Sequence, residues 1–324
     1  QEAHLELARR GDTATLTQVL AAQGSLLERV HALWGLSVVH RLDAKSRQAA
    51  ATALITAAGD KDAEIRSQAA RALAEVEGAE SGKGLKALVA DPDARVSARA
   101  ALALARHKAP SATAEAVEAL RKNDNADPVA RHAAAILLAR SADTAGLMKS
   151  AKDSSGAVRL GTVLAMRRVE TPPAEVATVL VNDIDPAVAT EAARLVHDLP
   201  VEGAREALGK LTEKASAPEP LLRRALASRY RLGRPEDALA LASLAGRAGV
   251  TDSLRVEALE YLNHWAKPSG RDPVVGLWRP LPARDAEPAR VAIRTHLGAL
   301  LASPATVRSE EHTSELQSRQ YLVC

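Results

Sequence analysis

Outside its last seventeen residues the chain carries eight histidines: His4, His31, His40, His107, His132, His197, His264 and His296. A metal site on one helix needs two imidazoles three or four residues apart, as in HExxH, so that both face the same ion. No pair here has that spacing, and only assembly between helices, with His107 and His132 as the candidates, would make one. Thiol chemistry rests on a single residue, Cys324, at the very end. The serines lack the GxSxG elbow, and SGKG at 81–84 lacks the GxxxxGK[ST] frame whose backbone cradles phosphate. Glu257 and Glu260 are a pair of carboxylates on an expected exposed helix face, where both would be ionised and solvated instead of tuned for proton transfer. These spacings predict no catalytic residue, no metal and no cofactor, and hence a chain that is not an enzyme.

The informative spacing is one that positions helices. From an anchor residue, usually Arg, small or apolar residues follow three, four and seven places on: Arg66 leads to Ala69, Ala70 and Leu73, and Arg131 to Ala134, Ala135 and Leu138. The same pattern follows Arg29, Ser97, Arg159, Ala189, Arg223 and Arg255, with anchors 28 to 37 residues apart. Offsets of three, four and seven share one helix face, and small residues there let a neighbouring helix approach closely. Six residues before an anchor stands a turn former: Asp60, Asp91, Asn125, Asp153 or Asp183. An Asx residue can cap a helix, and the Pro in DPDARV, NADPVAR and NDIDPAV is tolerated in a first turn. A second apolar-periodic stretch follows each anchored one, such as GLKALVA (84–90) or AEVATVL (174–180). A period of this length signals stacked helix pairs.

On Asp-Pro at the turn, then Val or Ile, Arg, Ala-Ala and Leu, the chain resembles HEAT-repeat proteins over roughly residues 13–265. The resemblance implies an all-α solenoid of eight to nine helix pairs. It also implies a hydrogen-bonded ladder between turn Asp and helix Arg of neighbouring units, with Asp60, Arg66, Asp153 and Arg159 at the matching positions. Ser97 and Ala189 interrupt the Arg column.

Composition agrees with helices packed closely through small side chains. Aromatics make up 2% of the chain and Phe is absent. No apolar run is long enough to span a membrane. The net charge is +3, and no single helix carries a continuous basic stripe. The densest patch is RRALASRYRLGR (223–234), with five Arg in twelve residues and Tyr230 as the one nearby stacking group. Nucleic acid is therefore not the expected partner, although a nucleic-acid-binding solenoid is one alternative. A lyase or chaperone accessory protein is the other, and it would need an aromatic-lined groove that this composition scarcely supplies. The leading expectation is a non-catalytic scaffold for docking protein domains.

The period fails at residues 264–284, HWAKPSGRDPVVGLWRPLPAR, which hold two of the three Trp and five Pro or Gly within 268–280. Such an insertion can plug the exposed end of a stack or dock another domain. Trp265, Arg271, Asp272, Trp278 and Arg279 are the candidate docking residues, because Trp and Arg dominate interface energetics. This segment carries a second resemblance. LRVEALEYLNHWAKPSGRDPVVGLWRPLPAR (254–284), HALWGL (31–36) and the opening QEAHLELARRGD are similar to the HEAT region of bacterial membrane-bound dehydrogenase-like, haem-binding proteins. That family implies a sugar-dehydrogenase-like β-propeller before the array, a cytochrome c domain with CxxCH after it, and a periplasmic or secreted location. No CxxCH stands in this chain, so no haem or catalytic residue carries over.

The last seventeen residues, RSEEHTSELQSRQYLVC, lack the periodicity, and residues 308–318 resemble the translation of a sequencing adapter. With no initial Met, the expected organisation is a fragment of a larger protein: one solenoid over 1–302 with its insertion at 264–284, and a non-native or disordered tail over 303–324.

Overall fold

The computed structural model describes residues 2–107, 112–214 and 217–302. The expected tail at 303–324, with Cys324, lies outside them. By contact the chain divides into two compact units, Gln1–Pro172 and Pro173–Cys324. The first holds α1 (Glu2–Arg9), α2 (Thr13–Ala21), α3 (Leu26–Leu42), α4 (Arg47–Ala57), α5 (Ala63–Leu73), α6 (Ala79–Val89), α7 (Ala94–Arg106), α8 (Thr113–Asn123), α9 (Pro128–Ser141), α10 (Thr144–Ala151) and α11 (Gly156–Met166). The second holds α12 (Ala174–Val181), α13 (Pro186–Asp198), α14 (Arg205–Lys210), α15 (Glu219–Leu232), α16 (Pro235–Gly246), α17 (Asp252–Asn263) and α18 (Glu287–Leu301). Among the described residues the only strand-like feature is one antiparallel bridge, Arg271 to Trp278.

Every anchor falls in an odd-numbered helix from α3 to α17, and the residues three, four and seven places on are buried in each. Leu259 is the exception at 41% exposed. It lies on α17, where the next helix, α18, packs on α16 instead of continuing the stack. Within the first unit α3, α5, α7 and α9 each pack against the next anchored helix, while the intervening helices pack on their own partners. This is the helix–turn–helix pairing that small residues at close-packed positions favour.

The turns divide their work between two residues, which corrects the assignment of the caps. The cap is the second polar residue of each turn: Asp62, Asp93, Asp127, Ser155 and Asp185 accept from N–H groups of the first turn of α5, α7, α9, α11 and α13. The residue six before the anchor instead folds the turn itself. Asp60, Asp91, Asp153 and Asp183 each accept the N–H two residues on, at 2.8–2.9 Å, the Asx-turn geometry. Pro128 and Pro186 open α9 and α13, where a missing N–H costs nothing.

The other oxygen of Asp60, Asp91 and Asp153 faces the preceding repeat. Arg29 pairs with Asp60, and Arg66 grips Asp91 through Nε at 2.7 Å and Nη2 at 2.9 Å. Arg66 also donates Nη1 to the Asp60 and Lys61 carbonyls at 3.0 and 3.1 Å. Arg159 does the same to Asp153 and Ser154, at 2.9 and 3.0 Å. Within a repeat, therefore, Asp60 and Arg66, like Asp153 and Arg159, meet through the backbone carbonyl and not through the carboxylate. The cation on Asp153 is Arg121 of α8, at 2.7 Å. At Ser97 the hydroxyl donates to the Val89 carbonyl at 2.6 Å, tying the turn without a charge.

Candidate docking site at the insertion

The insertion is built on the second unit's core. Tyr230 of α15 and Tyr261 of α17 stack with ring centroids 4.6 Å apart, and Trp265 meets Tyr230 edge-on at 6.2 Å. Arg284, at the far end of the insertion, lays its guanidinium 3.7 Å over the Trp265 ring and 4.8 Å over Tyr230. It also donates to the Trp265 and Tyr230 carbonyls at 2.8 and 2.7 Å. One side chain thus closes the loop over its base by cation–π and hydrogen-bond contacts together. Burial lowers the Arg284 pKa. Gly233 ends α15 in a left-handed conformation, and a Cβ there would stand 2.1 Å from Arg284 Nη1, so both backbone and space call for glycine.

Between these ends the chain forms a tight hairpin. The Asp272 N–H donates to Leu277 O and the Arg279 N–H to Gly270 O, each at 2.8 Å. The Asp272 carboxylate accepts the Val274 and Val275 N–H groups at 3.0 and 3.2 Å and lies 3.2 Å from His197 Nε2. Arg231 Nη1 and Arg279 Nη1 stand 3.6 and 4.0 Å from its other oxygen. Burial opposes ionisation of Asp272, but the His197 contact and these two N–H groups prevail, holding its carboxyl far below the usual carboxylate range. Burial lowers the Arg231 pKa, and the nearby Arg205 adds to the effect. Arg279 donates to the last carbonyls of α13, His197 O at 2.9 Å and Asp198 O at 2.7 Å, where a cation completes a helix C-terminus. The hairpin is pinned from one side by a carboxylate and from the other by a guanidinium.

The five candidate residues therefore separate. Trp265 is 1% exposed and belongs to the core, not to a surface. Asp272 is buried and Arg279 half-buried, and both hold the hairpin down. Arg271 is exposed and ties the turn by donating to Gly276 O at 2.8 Å. Trp278 alone among the five offers apolar surface. It is 74% exposed, beside Leu277 at 53%, and its ring lies over Gly270, where a Cβ would meet it at 2.3 Å. Sequence reasoning missed His197, Arg231 and Arg284. The first two carry a signal: each stands eight residues after its anchor, Ala189 or Arg223, so one register on adjacent helices brings them together.

The other sequence candidates take structural partners. His107 lies 2.9 Å from the Leu73 carbonyl and His132 3.0 Å from Arg168, so the two use separate contacts. Glu257 is not solvated as expected: it meets Arg223 at 2.9 Å and Tyr261 at 3.1 Å, and burial raises its pKa. Among the described residues no group of three or more His, Cys, Asp and Glu is arranged to hold a metal.

No protein-family model and no curated protein matches the sequence. Solved structures of similar architecture include YibA from Escherichia coli, at 17% identity and a TM-score of 0.37, covering 81% of this chain and 97% of that one. The CpcE–CpcF complex of phycocyanin lyase from Nostoc sp. is 20% identical with a TM-score of 0.36, over 89% and 94%. Human deoxyhypusine hydroxylase in complex with glycerol is 16% identical with a TM-score of 0.32, over 82% and 99%. The fold is an all-α solenoid of HEAT-type helix pairs. The expectation that the chain is not an enzyme is corrected here, because proteins of similar architecture include a lyase and a hydroxylase. A missing sequence motif does not exclude catalysis in such a fold, since helices of different repeats can assemble groups far apart in the chain.

Proposed function

We propose that this HEAT-type array is a scaffold that docks protein domains, with Trp278 and Leu277 at the hairpin tip as the apolar anchor. The observation that supports it is the contrast within one loop. An exposed Trp–Leu pair sits on a hairpin whose base is fixed by Asp272, His197 and Arg279. A Trp held on a rigid base loses little freedom on binding, which is how a small patch gains affinity. Trp265 supports the anchor from within and does not touch the partner. Among the described residues no helix is long and apolar enough to cross a membrane.

The partners favoured by the resemblance of residues 254–284 are the β-propeller and cytochrome c domains of a sugar-dehydrogenase-type redox protein, with this array as their common platform. Calorimetric titration of the chain with each domain, taken from a protein of the resembled family, tests it. At least one domain should bind, and Trp278→Ala should weaken that binding by about 2 kcal/mol or more, as expected of an anchor. Binding by neither domain overturns the partner assignment, and wild-type affinity in the Trp278→Ala variant overturns the anchor.

A further inference from the structure

Three consecutive anchored stretches of the first unit, residues 94–106, 128–141 and 156–168, contain eight Arg and neither Asp nor Glu. Nine residues after the anchors Ser97, Arg131 and Arg159 stand Arg106, Arg140 and Arg168. The three share one register, at the C-terminal ends of α7 and α9 and just past the end of α11, and all are exposed. Since α7 packs on α9 and α9 on α11, the row steps from helix to helix at the roughly 8–10 Å of packed helix axes. Among the described residues none of the three has a carboxylate partner. Arg168 donates to the Leu164 carbonyl at 2.6 Å and lies 3.0 Å from His132 Nδ1. Arg99, on the same helix as Arg106, donates to the hydroxyl of Ser67 at 2.8 Å. One repeat earlier the same register holds Glu75, which ends the row.

We propose that this face binds an extended acidic polypeptide in the polyproline II conformation, with a carboxylate at every third residue. That conformation has three residues per turn and about 3.1 Å of rise per residue, so residues i and i+3 lie on one side about 9 Å apart. The interval matches the step of the arginine row. A β-strand turns residue i+3 to its opposite face, and an α-helix advances only about 4.5 Å over three residues. Each guanidinium offers a planar fork suited to a carboxylate. Nucleic acid fits less well, since single strands are held by aromatic stacking and residues 94–168 contain no Phe, Tyr or Trp. Tight duplex binding draws on about 6–10 phosphate contacts, more than this row supplies.

Fluorescence anisotropy on the full chain in low salt tests the face, using a labelled (Glu-Pro-Pro)4 peptide. Its probes for comparison are an isomer with the four glutamates contiguous and a short DNA duplex. The spaced peptide should bind about tenfold more tightly than its isomer, a difference of about 1.4 kcal/mol. The Arg106→Glu/Arg140→Glu variant should lose binding by at least that factor while melting as wild type. Lys149→Glu, on α10, and Trp278→Ala, in the other unit, should bind as wild type, which separates this face from the docking hairpin. Equal affinity for the two isomers, or unchanged binding by the double variant, overturns the proposal. So does duplex DNA binding more tightly than the peptide with loss in the same variant, which assigns the face to nucleic acid.

Discussion

The second unit carries five arginines in the twelve residues 223–234, and the structure gives each one a carboxylate. Arg223 meets Glu219 and Glu257, Arg224 meets Asp198, Arg229 meets Glu213 and Asp237, Arg231 faces Asp272, and Arg234 meets Glu206, Glu236 and Asp237. In the first unit Arg106, Arg140 and Arg168 stand 34 and 28 residues apart and, among the described residues, have none. The patch that looks most basic in sequence is neutral in space, and the one that looks unremarkable keeps its charge. Neutralisation comes from segments distant in the chain, such as the insertion and α13. Accumulation comes from register, because one position per repeat is multiplied by stacking. A basic surface on such a fold therefore has to be read across helices and not along them.

The sharpest break in this comparison is to empty the neutralised side. Asp272→Ala leaves His197, Arg231 and Arg279 packed together without their carboxylate, and breaking a buried pair in this way costs about 3–5 kcal/mol. Urea unfolding should show a loss of that size. A loss below about 1 kcal/mol would mean that the cluster is solvated and the hairpin not pinned by charge. Trp265→Ala should cost a similar ~3–5 kcal/mol, as for a fully buried aromatic, whereas Trp278→Ala should stay within about 0.5 kcal/mol. Equal costs for the two would make Trp278 a packing residue and remove it as an anchor.

The same carboxylate sets a pH window. Its folded pKa lies far below the ordinary value, so its stabilisation is complete above an unfolded pKa of about 3.9 and is lost as pH falls toward the folded value. The stability gap between wild type and Asp272→Asn should be flat from about pH 7 to 5 and narrow only below about pH 4. A gap that already closes above about pH 5 would show that the Asp272 carboxylate does not govern this contact.

The helix pairs were legible because offsets of three, four and seven encode one buried face, and every anchor found a helix. The division of each turn was not legible, since Asp60 and Asp62 are the same residue type and only backbone geometry tells the Asx turn from the cap. The candidate site was half legible. Composition marked the insertion, but it could not tell Trp265 from Trp278, because burial was decided by Arg284 closing from nineteen residues away. The latch joins residues 197, 231, 272 and 279, and no local window contains them. Leu259 fits the repeat and still meets solvent, because the helix that would cover it packs on α16.

The smallest effects test the charged side. Arg66→Ala removes two charge-assisted bonds to Asp91 and two to turn carbonyls, while Asp91 keeps the N–H of Asp93. A cost of about 1–3 kcal/mol is expected for leaving such a half-buried carboxylate short of donors. Arg140→Ala should cost less than about 0.5 kcal/mol, because among the described residues its guanidinium has no charged partner to lose. Its sign is the sharper reading. If Arg106, Arg140 and Arg168 repel one another across the stack, removing the middle charge should stabilise the first unit slightly in low salt, and the gain should vanish as the Debye length shrinks to about 3 Å near 1 M. A destabilisation independent of salt would mean that Arg140 has a contact within the fold, and the row would then be no freer than the five arginines of the second unit.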